Sequence, residues 1–198
     1  ISMFQDTLLQ DRYVRHLDRL IELTDREKHR TQSQPEFHQL AVFYHDRFSH
    51  NKEVFVNQYK KNLITAFAQL QKSGAVELIT CGATHSYLPL LESCPSSVKA
   101  QLQVGMDCFE KAFGFRPKGF WLPECGFHPA QEKLLHEAGI EYTFVDSHGI
   151  LFASPRPRYG IFAPCYTPSA VAVFGRDPET SRSVWSSREG YPGDPAYR

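Results

Sequence analysis

The chain predicts an α/β fold with a helical N-terminal part, and two patterns carry that expectation. Apolar residues recur at helical spacing through residues 3–73. From Ala75 onward, short apolar runs alternate with helical stretches, the pattern of a parallel sheet built from strand–helix–strand units. At 198 residues the chain is long enough to bury a sizeable core and suits one domain. The expected division is a mainly helical 1–74 followed by alternating strands and helices over 75–198.

The elements follow in order. Leu8, Leu9, Tyr13, Leu17, Leu20, Ile21 and Leu23 mark the apolar face of a first helix, and Asp11, Arg15, Asp18 and Arg19 its solvated face. Phe37, Leu40, Ala41, Tyr44 and Phe48 mark a second over Glu36–Phe48. A third is expected from Asn51 to Lys72, stopped by Gly74. His38, His45 and His50 fall in this part at spacings that match no zinc motif. Val76–Thr80 then reads as a strand with the exit loop Cys81–His85, followed by a helix over Ser97–Phe113. Lys118–Leu122 is the next strand, and Pro129–Ala138 a helix with proline in its first turn and Gly139 at its stop. Glu141–Val145 is a third strand, with Asp146–Gly149 as its exit loop. Gly160–Ala163 and Ala170–Phe174 read as two further strands around a proline-rich turn. No internal repeat or low-complexity segment interrupts the series. Periodicity leaves a barrel and an open sheet undecided.

Composition narrows the class of function. Lys+Arg and Asp+Glu number 22 each, so the formal charge is zero. A neutral chain argues against nucleic acid or an anionic membrane as main partner, and suits a neutral polymer or a small molecule. Aromatic residues make up 13% of the chain, enough for both core packing and stacking on sugar rings. Five cysteines without a C-x-x-C pair suggest neither a zinc ribbon nor a redox motif, and suit a reducing cytoplasm. No run approaches the roughly 20 apolar residues of a membrane span, and no signal peptide is visible. Neither a cofactor nor a metal is expected.

The most informative stretch is Gly119–Phe127, GFWLPECGF. An aromatic run heads into Pro123, which cannot extend a central ladder, so the strand should stop there and leave Glu124 just past its end. In barrels and open α/β sheets that edge is where catalytic groups sit. Glu124 is therefore a candidate nucleophile or general acid, against the plainer reading of a solvated loop glutamate. His85, Asp146 and His148 also follow strands, and in a parallel barrel all four would converge on one mouth. Arg176 follows the apolar run Val171–Phe174, with Trp185 and the turn Gly190–Gly193 shortly after. An arginine, a tryptophan face and glycines that permit close approach suit sugar binding. A surface ion pair, a core tryptophan and an ordinary turn would explain the same residues.

Three blocks carry a resemblance. WLPECGF resembles the nucleophile motif of glycoside hydrolase family 57. Glu77–Leu91, ELITCGATHSYLPLL, is similar to the preceding motif of that family's 1,4-α-glucan (glycogen) branching enzymes. The tail, FGRDPETS through VWS to GYPGD, resembles the same subgroup. The blocks stand in the family's order and cover most of 76–198. The resemblance implies a partial (β/α)7 TIM-like barrel and a retaining transfer on α-glucan such as amylose or glycogen. It also implies Glu124 as nucleophile, with His85, Trp121, Asp146, His148, Arg176, Trp185 and Gly193 as substrate contacts. The family's acid/base aspartate block and its N-terminal histidine motif are not found. Asp146 and Asp177 are the local stand-ins for the acid/base. The chain is expected to be a piece of a longer enzyme, inactive alone. A family amylase or 4-α-glucanotransferase, a metal-dependent polysaccharide deacetylase and a non-catalytic glucan-binding fragment are the competing readings.

Overall fold

The computed structural model describes residues 1–197 and divides into two compact units, Ile1–Glu77 and Leu78–Arg198. The first unit is helical: α1 (Ser2–Gln5), α2 (Thr7–Arg30), α3 (Pro35–Glu53) and α4 (Leu63–Lys72). Asp6 caps α2 by accepting from the Leu9 amide at 2.9 Å. Three cross-links set the packing of this unit. Lys61 meets Asp11 at 2.8 Å, Lys52 meets Asp18 at 2.6 Å and His45 meets Asp25 at 3.5 Å. As numbers rise along α2 they fall along the partner segment, so the two run antiparallel, as the four-residue link 31–34 requires. Exposed pairs of this kind contribute little energy each, but they fix register. Leu17, Ala41, Phe55 and Ile64 form the unit's buried apolar residues.

The third helix expected over Asn51–Lys72 is not continuous. Helix α3 runs on to Glu53 and widens into a π-helical turn over Val54–Gln58. The chain then breaks at Lys60 and Lys61, both left-handed at φ 50 and 65. The polar run Gln58–Asn62 offers no apolar face to hold a helix, and Asn62 instead caps the new one by accepting from the Thr65 amide at 3.2 Å. Gly74, at φ 76, does follow the end of α4 as expected.

The second unit is built on one sheet of order β1-β2-β3-β5-β4. Its strands are β1 (Thr80–Cys81), β2 (Gly119–Trp121), β3 (Tyr142–Val145), β4 (Cys165–Tyr166) and β5 (Ala172–Gly175). β1, β2, β3 and β5 are parallel neighbours, and β4 adds antiparallel to β5. Helices α5 (Pro95–Phe113) and α6 (Glu132–Glu137) lie between the parallel strands, and α7 (Ser147–Leu151) and α8 (Pro178–Trp185) follow β3 and β5. The core joins α5 to the sheet through Val98, Leu102, Met106, Phe120, Leu122, Leu135, Ile140, Val171 and Val173. Gly105 lets α5 close on β1: a Cβ there would stand 2.4 Å from the Cys81 carbonyl. Thr143, fully buried, donates to the Phe120 carbonyl at 2.8 Å, which satisfies its hydroxyl inside the sheet.

Several boundaries differ from the sequence reading. The strand expected at Val76–Thr80 begins only at Thr80. Gly160–Ala163, read as a strand, contains a 3₁₀ turn over Gly160–Phe162, because Gly160 takes φ 55 and turns the chain. The strand of that region is β4, a few residues later. Asp146–Gly149, read as a loop, instead enters α7 with Asp146 at its N-cap position. Among the described residues, no helix is long and apolar enough to cross a membrane.

Candidate active site

Four parallel strands deliver their C-terminal ends to one edge of the sheet, and each hands on a polar residue. The chain leaves β1 through Gly82–Tyr87, which carries His85. It leaves β2 through Leu122 into Pro123–Cys125, which carries Glu124. It leaves β3 at Asp146 and β5 at Arg176.

The exit from β2 is strained. Glu124 and Cys125 are both left-handed, at φ 53 and 55. For non-glycine residues each such conformation costs about 1–3 kcal/mol. Amide bonds hold the turn closed, from Cys125 to the Leu122 carbonyl at 2.9 Å and from Gly126 to the Pro123 carbonyl at 3.0 Å. The turn splits its two side chains. Cys125 goes inward, at 6% exposure, and Glu124 goes outward, its side chain 78% exposed. His85 is left-handed too, at φ 56, and brings its Nε2 to 3.7 Å from the Glu124 carboxylate.

Arg176 ties the other exits to this turn. Its amide donates to the Val145 carbonyl at 2.9 Å, continuing the β3–β5 ladder past the strand end. Its guanidinium lies 3.4 Å from the Asp146 carboxylate, 3.7 Å from Cys125 Sγ and 3.4 Å from the Ser181 hydroxyl. The same group stands 5.9 Å over the Trp121 ring, which in turn packs on Phe144 at 5.5 Å. Burial pushes the Cys125 thiol above its ordinary pKa, and Arg176 opposes that shift. Cys125 is thus a buried neutral thiol behind Glu124.

A cavity of about 520 Å³ opens at this edge. Glu124, Asp146 and His148 line it, together with Tyr87, Phe127 and Tyr166. Of the residues singled out in the sequence, these first three share the cavity wall. His85 reaches Glu124, and Arg176 joins Asp146, Cys125 and the Trp121 ring. Trp185 and Gly193 do not line this cavity. Trp185 is 77% exposed at the end of α8. Gly193 packs on backbone, where a Cβ would lie 2.0 Å from the Ser187 carbonyl. Asp177 caps α8: its carboxylate accepts from the Thr180 and Glu179 amides at 2.9 and 3.4 Å, and the Thr180 bonds lead in holding its pKa down. Tyr87 and Tyr166 were not singled out in the sequence. The signal for Tyr87 was its place two residues after His85; β4, which carries Tyr166, was misplaced. Among the described residues, no three of His, Cys, Asp and Glu come together as a metal site.

Comparison with known proteins gives this geometry a family. The profile of glycosyl hydrolase family 57 matches residues 2–195. The chain is 39% identical to the 1,4-α-glucan branching enzyme of Thermococcus kodakarensis over 163 residues, 69% of this chain and 24% of that protein. Among solved structures it matches the α-amylase AmyC of Thermotoga maritima with a TM-score of 0.92 and 44% identity. It matches the GH57-type branching enzyme of Pyrococcus horikoshii with a TM-score of 0.80 and 31% identity. Each structural match covers 99% of this chain and 38% of the other. The chain therefore spans well under half the length of these relatives. Its parallel strands and helices are part of a (β/α)7 barrel.

Proposed function

The chain belongs to glycosyl hydrolase family 57, and from that premise we propose that it carries the nucleophile side of a retaining transfer on α-glucan. Glu124 attacks the anomeric carbon of a donor chain, and the bond from that carbon to the leaving 4-oxygen breaks. The leaving oxygen takes a proton from a second carboxylic acid. In the second step the 6-hydroxyl of an acceptor chain attacks the glycosyl-enzyme, gives its proton to that same carboxylate, and frees Glu124. An α-1,4 bond is exchanged for an α-1,6 branch.

The observation that supports this reading is the double left-handed turn. It lifts one carboxylate out of a strand end, beside a histidine, into a cavity large enough for a sugar ring. The retaining geometry needs the second carboxyl at about 5–5.5 Å. Asp177 caps α8 and Asp146 pairs with Arg176 at 3.4 Å, so neither is assigned the proton transfer. The proton donor is proposed to come from outside these 198 residues. His85 orients the Glu124 carboxylate, and Asp146 and His148 contact the sugar from the β3 side.

A second reading is favoured by the likeness to an α-amylase at 44% identity. In it, water replaces the acceptor hydroxyl and the product is shortened glucan without branches. The test for both uses the full-length protein on amylose. Turnover should fall by several orders of magnitude in Glu124→Gln with the fold unchanged. A rate within about tenfold of wild type removes Glu124 as nucleophile. New α-1,6 linkages, read by a debranching enzyme, separate branching from hydrolysis.

A further inference from the structure

We propose that Tyr87 is a sugar-contacting, specificity-determining residue of this cavity, seated there by Gly126; the inference rests on the reading of the cavity as a glucan site. The loop leaving β1 and the turn leaving β2 interlock at two points. One is His85 against Glu124, at 3.7 Å. The other is the Tyr87 ring against Gly126, where a Cβ would come 2.3 Å from Cε2 and 2.9 Å from Cδ2 and Cζ. No side chain larger than hydrogen fits at 126 while the ring stays in place.

The backbone does not demand that glycine. Gly126 has φ −74 and ψ 115, an extended conformation open to any residue. Space for the ring is what the structure uses it for. A tyrosine that served only to fill a glycine notch would be covered. Tyr87 is 43% exposed and lines the cavity beside Glu124. Its hydroxyl has no hydrogen-bond partner among the described residues. An aromatic face held rigidly next to a nucleophile suits the apolar face of a pyranose ring. The free hydroxyl can donate to or accept from a sugar oxygen. Because the ring shares the Glu124 turn, it constrains which sugar ring orientation meets the carboxylate.

The experiment measures maltoheptaose binding by calorimetry in the full-length protein carrying Glu124→Gln, which removes turnover. Adding Tyr87→Leu, which keeps apolar volume but loses the flat face, should raise Kd about threefold or more. Gly126→Ala, which displaces the ring without touching it chemically, should raise Kd to a similar extent. Tyr87→Trp should restore binding relative to Tyr87→Leu. A second measurement needs no substitution. Nitration by tetranitromethane, mapped by mass, should modify Tyr87 in the free protein, and maltoheptaose should protect it. A Kd that moves less than threefold in both Tyr87→Leu and Gly126→Ala, or nitration of Tyr87 indifferent to maltoheptaose, overturns the inference and leaves the nucleophile assignment standing. Failure of the Glu124→Gln protein and of the wild type to bind maltoheptaose removes the glucan reading itself.

Discussion

Replacing Arg176 by Met tests whether this arginine binds sugar or positions the protein's own groups. The sequence suggested the first; its contacts describe the second. The guanidinium pairs with Asp146 at 3.4 Å, with the two side chains 30% and 46% exposed. A pair so open to solvent is screened, and is worth about 0.2–1 kcal/mol. Its position over Trp121, at 5.9 Å, adds about 0.5–1 kcal/mol. The contacts to Cys125 Sγ and Ser181, at 3.7 and 3.4 Å, are long. The loss is therefore about 1–2 kcal/mol, which in a domain of this size lowers Tm by about 2–8 °C. Arg176→Lys keeps the charge but not the planar fork, and should recover only part of the loss. Thermal melts of Arg176→Met, Asp146→Asn and the double variant should give a coupling of about 0.2–1 kcal/mol. Kinetics on amylose in the full-length protein complete the test. A positioning residue acting through Asp146 and the Glu124 turn should lower kcat more than it raises KM. An unchanged Tm, no coupling and a rise in KM alone would refute the argument and return Arg176 to the sugar.

Trp185, 77% exposed on α8, should be removable as Trp185→Ala with Tm unchanged; if it contacts glucan, the loss will show in KM for long chains, and a fall in Tm with unchanged kinetics would make it a packing residue. Cys94 should be the first thiol alkylated by iodoacetamide. Hydrogen bonds from Ser96 and Ser97 lower its pKa to about 7, whereas burial raises the thiols of Cys81 and Cys125. Since the thiolate is the nucleophile, its rate should climb with pH and reach half its maximum near pH 7; mass-mapped labelling that reaches Cys125 first would contradict this.

The sequence was most legible where one residue type enforces one outcome. Pro123 closes β2, and Glu124 follows it into the cavity. Gly74 and Gly139 end their helices at φ 76 and 81. The strand–helix alternation implied a parallel sheet, and so the convergence of His85, Glu124, Asp146 and His148; that β5 pairs with β3 and brings Arg176 to the same edge was not legible. Legibility failed where the deciding contact is remote or the signal is a competition. Asn51–Lys72 has helical spacing throughout, yet Asn62 offers a cap strong enough to restart the helix there. Gly160–Ala163 has strand-like residues, but a left-handed glycine turns them. Arg176 reads in sequence as a sugar contact or a local surface pair, because three of its partners, Trp121, Cys125 and Asp146, lie 30 to 55 positions away. Nothing local to Gly126 shows that Tyr87 occupies its space.

The strain at the β2 exit has a counterpart in the packing around it. Two consecutive left-handed residues are costly, and such a turn persists only if its surroundings allow no alternative. Here each side of the turn is held. Cys125 is buried and faces Arg176, so it cannot rotate outward without exposing its thiol side chain and opening the contact. Gly126 lies under the Tyr87 ring. Pro123 is buried and has no amide to offer another partner. Glu124 is left out of the packing, its carboxylate exposed and met by His85 at 3.7 Å, so the constraint falls mainly on its backbone. In the proposed reaction, a nucleophile at Glu124 would gain from that division. Its attachment point is fixed before substrate arrives, so less ordering remains to be done at the moment of attack. The carboxylate itself stays open to the cavity. The residues that hold the turn, Arg176 and Tyr87, come from the loops after β5 and β1, so the position of Glu124 depends on the whole parallel edge rather than on its own strand.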